Sequence, residues 1–219
     1  MSNFDPYLQS TDLLAADDPR IVKFAKEAVE NCSTDKEKAV ALYYAVRDGW
    51  LYDPYNLDIS KRGLKITNLF HKKRAWCVEK AAFYVACARA LGIPARPGYA
   101  IVVNHIGTEK LAEVLQREEI VFHGYADVFI EGQWVKCTPA FDRKICRISK
   151  VTPLTFDGEK DSLFHPYEGD EQFMEYVHDY GTFPDIPVKK MNEEMRKYYP
   201  HLFENKHDKS IFTFNYEMS

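Results

Sequence analysis

The predicted secondary-structure elements run from helices to strands, and this order places the sequence in the α+β class. Two helical patterns open the chain, an alanine-rich helix follows near residue 80, and a β-hairpin comes after it. There is no internal repeat and no alternation of strand with helix, so a doubly wound parallel sheet is not expected. We predict N-terminal helices and a central helix that packs on an antiparallel β-sheet.

Capping patterns predict where the first two helices begin. Asp18 precedes Pro19, which places a capping carboxylate before a proline at the first helical position. Thr34 and Glu37 have the spacing of a capping box, so a second helix is expected to start there and to end at Gly49.

The central helix, predicted over 77–91, carries two cysteines. Gly92 and Pro94 follow it and end it. Cys77 lies at its start, where unpaired N–H groups and the helix dipole favour a thiolate and can stabilise an oxyanion. Cys87 is rotated by about 80° and displaced by about 15 Å along the helix, so we interpret it as a buried core thiol.

A β-hairpin contains the histidine that suits Cys77 best. Its strands are predicted over 120–130 and 133–139, with a tight two-residue turn between them. Of the seven histidines, His123 is the one that lies within a strand of this hairpin. The register of such a turn places Thr138 diagonal to His123, about 7–8 Å away between backbone positions.

The segments WCVEKAAFYVACARALGIPAR and HGYADVFIEGQWVKCTPAFD together resemble the core of the transglutaminase-like superfamily, in the form of a stand-alone bacterial-type member. The resemblance covers about residues 40–142. It implies a papain-like α+β fold and acyl-transfer chemistry, with Cys77 as the nucleophile and His123 as the base. The largest departure is Thr138, because the family usually has an aspartate at this position.

The residue that orients His123 is therefore open at the level of the sequence. A Thr138 hydroxyl can accept a hydrogen bond from the imidazole, but it cannot stabilise an imidazolium as a carboxylate does. Pro139 is expected to end the strand pairing, so the position of Asp142, the other candidate, is less certain. Three alternatives follow: a Cys-His-Thr arrangement, an Asp142 carboxylate that folds back, or a degenerate site.

Two aromatic residues are candidates for substrate binding. Trp76 precedes the nucleophile and is expected either to line the acyl pocket and lend its N–H, or to pack in the core. Tyr125 follows His123 on the same face of its strand. The segments 105–119, predicted as a short helix over 107–119, and 140–170, predicted as a long loop with short elements, are expected to cover the groove.

Composition excludes several classes of function. The net charge is −4 and no basic block is present, so a nucleic-acid partner is not expected. No apolar run approaches the roughly 20 residues that span a bilayer, so no membrane partner is expected either. The five cysteines form no CxxC pair, which argues against zinc and favours a reducing cytoplasm. No cofactor or metal is expected.

The length of 219 residues suits one domain. We predict a core over about 34–142 and a C-terminal elaboration over about 143–219. The elaboration is expected to contain helices at about 171–179 and 188–198, and then an edge strand or a loosely held terminus after residue 205.

The expected function is thiol-dependent hydrolysis of a peptide or glutamine-type amide through a thioester. The alternative is a catalytically weak or inactive scaffold that binds a peptide or a protein. The sequence does not define the oligomeric state.

Overall fold

The structure is a computed structural model that describes residues 4–104, 109–163, 174–204 and 211–213. The helices within these ranges are α1 Pro19–Ala28, α2 Asp35–Gly49, α3 Cys77–Ala90, α4 Glu109–Leu115, α5 Arg143–Ile148 and α6 Val188–Tyr198. The strands are β1 Leu51–Tyr52, β2 Asn56–Asp58, β3 Arg74–Ala75, β4 Ala95–Asn104, β5 Glu119–Ile130, β6 Gln133–Cys137, β7 Met174–Thr182 and β8 Ile211–Thr213.

A four-stranded antiparallel sheet in the order β6-β5-β4-β7 forms one layer of the fold. Helix α3 packs along β5 and also contacts α1 and α2, and nearly all of its side chains are buried. Two small pairs, β1 with β3 and β2 with β8, extend the fold beside this core. The predicted α+β class, with the central helix on an antiparallel sheet, is confirmed.

The predicted capping signals begin α1 and α2. The Asp18 carboxylate accepts from the Arg20 N–H at 2.9 Å, and Pro19 is the first residue of α1. The capping box is complete, because the Thr34 side chain accepts from the Glu37 N–H and the Glu37 carboxylate accepts from the Thr34 N–H. Helix α2 ends at Gly49, as predicted.

The β5–β6 hairpin has the predicted register. Ile130 pairs with Gln133 across the turn, where Glu131 has a φ of 50° and Gly132 a φ of 90°, as a two-residue hairpin turn of this type requires. The ladder ends at Cys137. Beyond it, the Thr138 N–H donates to the Ser162 carbonyl at 3.0 Å and no longer to β5.

The helix predicted over 171–179 is wrong, because the described part of this segment belongs to β7, while 171–173 lie outside the described residues. Strand β7 pairs along the length of β4. The interstrand hydrogen bonds and the Tyr and Val side chains on a half-buried sheet favour the strand over the local helical preference.

The other C-terminal predictions agree with the structure where it describes them. Helix α6 covers the residues predicted over 188–198, and β8 in the tail pairs with β2. The predicted loop 140–170 contains α5, while 164–170 lie outside the described residues.

The helix predicted over 107–119, between β4 and β5, is shorter than expected. Helix α4 ends at Leu115, and 107–108 are not described.

Among the described residues, no helix combines the length and the apolar character that a bilayer crossing needs. Within the same ranges, no three or more His, Cys, Asp or Glu side chains are grouped so that they could hold a metal ion.

Candidate active site

Cys77 is the first residue of α3 and lies against β5. The N–H groups of Gly124 and Val78 lie close enough to its Sγ to lower the pKa of the thiol. Gly124 directly follows His123, so the start of α3 lies against the backbone beside the predicted base. Cys87 is fully buried, in agreement with its interpretation as a core thiol.

Gly124 permits the close contact between α3 and β5. A Cβ atom at this position would lie 2.8 Å from the Val78 Cα and 3.1 Å from the Cys77 carbonyl oxygen. These are backbone atoms, which cannot rotate away as a side chain can. The first turn of α3 therefore rests directly on the backbone of β5 beside His123.

A β-bulge precedes His123 in β5. Ala100 pairs with His123, whereas Val102 pairs with Ile120, so β5 has one residue more than β4 between these pairs. Phe122, within the bulge, has a φ of 61°, which is unusual for a bulky side chain. Bulges often re-aim a side chain next to an active site, and this one directly precedes the histidine.

His123 is 1% exposed. Tyr176 lies close to both His123 and Thr138. The ring of Tyr176 on β7 packs edge-on against the His123 ring, with centroids 6.3 Å apart. The Thr138 side chain lies close enough to the Tyr176 hydroxyl to oppose the effect of burial, which raises the pKa of that phenol. The predicted Thr138 thus lies in the same buried cluster as His123, and Tyr176, which the sequence analysis missed, lies between them.

Asp142 has a well-defined structural position. Its carboxylate accepts from the N–H groups of Lys144 at 2.8 Å and Ile145 at 3.1 Å, which caps α5. Its other oxygen accepts from the Tyr52 N–H at 2.7 Å. Both oxygens are therefore committed to backbone donors that fix β1 and the start of α5.

Tyr52 is a second site residue that the sequence analysis missed. Its hydroxyl lies close enough to the Cys77 Sγ to lower the pKa of the thiol, and β1, which contains Tyr52, pairs with β3 just before the nucleophile. Nothing in its spacing from Cys77 indicates that a short parallel pairing brings the two together.

Burial determines the protonation of Cys77. The side chain is 3% exposed, and this desolvation raises the pKa of the thiol to about 11. The N–H groups of Gly124 and Val78 and the Tyr52 hydroxyl oppose the shift. The helix start therefore lowers the pKa as expected from the sequence, but burial has the larger effect, so the resting group is a thiol that needs a base.

The two candidate substrate-binding residues are both buried. Trp76 is 4% exposed, and its Nε1 has no hydrogen-bond partner in the part of the chain that the structure describes. Tyr125 donates its hydroxyl to Asp179 at 2.9 Å, and its ring occupies the space above Gly98. Their contact with substrate stays a prediction.

Helix α3 begins with a cysteine and packs on an antiparallel sheet, next to a histidine in one of its strands. This arrangement is that of the papain-like class of fold. A family model for the transglutaminase-like superfamily matches residues 22–139, more than half of the chain. The chain belongs to the transglutaminase-like superfamily. The match starts further towards the N-terminus than the resemblance over 40–142, and it includes most of α1.

Two solved structures are similar to the chain. One is a crystal structure described as a "putative cysteine protease" from Cytophaga hutchinsonii, with 19% identity and a TM-score of 0.49 over 68% of this chain and 45% of that one. The other is described as a "putative protease" from Parabacteroides distasonis, with 14% identity and a TM-score of 0.39 over 61% of this chain and 24% of that one. The chain thus spans less than half the length of either structure. No curated protein matches the sequence.

Proposed function

We propose that the protein is a thiol-dependent acyl-transfer enzyme that hydrolyses a peptide or glutamine-type amide. One observation carries the proposal: Cys77, at the start of α3, packs against the backbone of Gly124, the residue that follows His123, and the Gly124 N–H lowers the pKa of its thiol. This packing brings the proposed nucleophile and the unpaired N–H groups of a helix start to the backbone beside a strand histidine, which supports a Cys-His site.

In the proposed reaction, His123 removes the proton from the Cys77 thiol, and the thiolate attacks the substrate carbonyl carbon. The N–H groups at the start of α3 and the Tyr52 hydroxyl stabilise the oxyanion that forms. The C–N bond then breaks, and the leaving amine takes the proton from His123. Water attacks the resulting thioester and gives up a proton to His123. The C–S bond then breaks, the acid is released, and His123 returns the proton to the Cys77 sulfur.

We propose that Thr138 and Tyr176 orient His123 in place of the usual aspartate. Support comes from the contact of the Tyr176 ring with the imidazole and from the interaction of its hydroxyl with Thr138. Asp142 is the weaker candidate, because backbone N–H groups engage both of its oxygens. A neutral hydroxyl and an aromatic ring stabilise an imidazolium less than a carboxylate does, so a lower rate than that of a carboxylate triad is expected.

The second candidate function is a non-catalytic scaffold that binds a peptide or a protein. The burial of the reacting groups favours it, since Cys77 is 3% and His123 is 1% exposed. A substrate carbonyl reaches such a sulfur only if the covering side chains move.

Alkylation separates the two functions. With iodoacetamide at pH 7 and mass-spectrometric mapping, we expect Cys77 to be labelled at least about tenfold faster than Cys87, and His123→Ala to remove this advantage. In His123→Ala, labelling of Cys77 should rise steadily with pH, because its thiol then ionises with a pKa near 11. Slow and equal labelling of Cys77 and the buried Cys87 in the unaltered protein would favour the scaffold.

Tyr52→Phe tests the donor on the sulfur. The hydroxyl lowers the pKa of Cys77, so its removal raises that pKa further and is expected to slow labelling of Cys77 at pH 7 by about threefold to tenfold. Tyr44→Phe is the matched control, because it removes a hydroxyl that bonds to Phe156. Equal labelling rates in the two variants would contradict a role for Tyr52 at the sulfur.

We also propose a peptide or protein substrate and a reducing compartment such as the cytoplasm. All five cysteines are free, and a disulfide-poor chain with several thiols suits that environment.

A further inference from the structure

The bulge in β5 breaks the ladder with β4, and a residue from the C-terminal part of the chain satisfies the backbone groups near it. The hydroxyl of Tyr199, directly after α6, accepts from the Val121 N–H at 2.8 Å. The same hydroxyl donates to the Glu119 carbonyl at 2.7 Å. One side chain thus bonds to the backbone of β5 at two positions within four residues of His123.

The bulge is a conformation that needs such support. Phe122 has a φ of 61°, and a left-handed conformation is strained at a bulky non-glycine residue. Its ring is fully buried and packs against Tyr99 at 5.0 Å and Tyr180 at 4.8 Å between centroids. Packing holds the Phe122 side chain, and Tyr199 holds the backbone beside it.

The Tyr199 hydroxyl is suited to this double role. Tyr199 is 1% exposed, and burial raises its pKa, so the hydroxyl keeps the proton that it donates to Glu119. Helix α6 brings it there through the buried side chains of Met191 and Met195.

We propose that Tyr199 is a positioning residue for His123: it fixes the bulge and thereby the direction in which the imidazole meets the Cys77 sulfur. This inference rests on the proposed function and assigns a role to the C-terminal elaboration, which lies outside the matched residues 22–139. In a regular ladder, removal of the extra residue would move His123 to the other face of β5. The proposed dyad therefore depends on the bulge.

Tyr199→Phe tests the proposal in the full-length chain, and Tyr180→Phe is the matched control. The half-buried Tyr180 hydroxyl on β7 donates to Glu194 on α6 at 2.8 Å. The control therefore also removes a hydroxyl that links α6 to the sheet. Cys77 labelling by iodoacetamide is measured from pH 6 to pH 10, together with the melting temperature of each variant.

We expect Tyr199→Phe to slow Cys77 labelling at pH 7 by about tenfold. At high pH, where the thiol ionises without a base, the labelling rate of the variant should approach that of the unaltered protein. Tyr180→Phe should stay within about twofold over the whole range, even if both variants melt at the same lower temperature. In the double variant with His123→Ala, loss of the Tyr199 hydroxyl should have no further effect, because it acts through His123.

Two outcomes would overturn the inference: equal pH profiles for the two tyrosine variants, or an undiminished effect of Tyr199→Phe in the absence of His123. These are distinct from a failure of the proposed function. If His123→Ala leaves Cys77 labelling unchanged, there is no dyad and Tyr199 has nothing to position.

Discussion

Replacement of Gly124 by alanine is expected to lower the free energy of unfolding by about 3 kcal/mol, at the upper end of typical overpacking costs, and to slow Cys77 alkylation to the rate of a buried core thiol. The added Cβ would lie 2.8 Å from the Val78 Cα, where no rotamer change relieves the contact. Helix α3 and β5 must separate. The N–H of residue 124 then leaves the Cys77 sulfur, and the distance from Cys77 to His123 increases.

Urea denaturation gives the change in stability, and iodoacetamide labelling gives the change in reactivity. Gly49→Ala is the matched control, because a Cβ at Gly49, at the end of α2, has no described atom within 4 Å. Neither glycine has a positive φ, so backbone strain does not separate the two variants. A Gly124→Ala protein that is as stable and as reactive as Gly49→Ala would show that the contact is dispensable.

Local patterns predict the parts of the site that lie within one element. Helix α3 follows from its alanines and from Gly92 and Pro94, and the hairpin follows from its two-residue turn. Both patterns act over a few residues, where capping and turn geometry decide the conformation. The placement of Cys77 at a helix start and of His123 within a strand could therefore be predicted without a structure.

The parts of the site that depend on distant pairings could not be predicted. Tyr176 lies on a strand that forms because β4 has a free edge, and the local sequence of that strand resembles a helix. Tyr52 reaches the sulfur through a two-residue parallel pairing of β1 with β3. The bulge at Phe122 is a one-residue excess in β5 relative to β4. Each feature depends on the partner strand, which the local sequence does not identify.

Burial is the other quantity that motifs do not give. The start of a helix lowers the pKa of a thiol, and this argument holds for the N–H groups around Cys77. The sequence does not indicate that the sulfur is almost entirely removed from water, which reverses the net shift. His123 must therefore remove the proton from a thiol whose pKa is raised rather than lowered.

Replacement of Lys80 by methionine is expected to lower the free energy of unfolding by about 3–5 kcal/mol, because it leaves three buried carbonyls without their donor, at about 1–3 kcal/mol each. Lys80 lies in α3, one turn after Cys77, and is fully buried. Its Nζ donates to the carbonyls of Arg47 at 2.7 Å, Trp50 at 2.9 Å and Ala140 at 2.7 Å. In its charged form Lys80 uses all three of its donors, and these bonds join α2, the residue before β1 and the segment that follows Thr138. The neutral amine keeps two N–H donors for the same carbonyls.

The same group gives a pH dependence with a definite sign. Burial lowers the pKa of Lys80 to about 7, against an ordinary value of 10.5. Between these two pH values the unfolded chain binds a proton that the folded chain lacks, so the stability of the folded state rises with pH through this window. Lys80→Met removes the group, and this part of the rise should disappear.

Urea denaturation of both proteins from pH 6.5 to pH 10 measures the magnitude and the slope together. Lys189→Met is the control for the exchange of lysine for methionine, because Lys189 is 92% exposed and lies on α6. Equal stability of Lys80→Met and Lys189→Met would show that the three hydrogen bonds of Lys80 do not stabilise the fold. If stability depended on pH with the same slope in the unaltered protein and in Lys80→Met, the Lys80 ammonium would stay protonated in the folded protein. Its hydrogen bonds to the three carbonyls would then compensate for the loss of hydration.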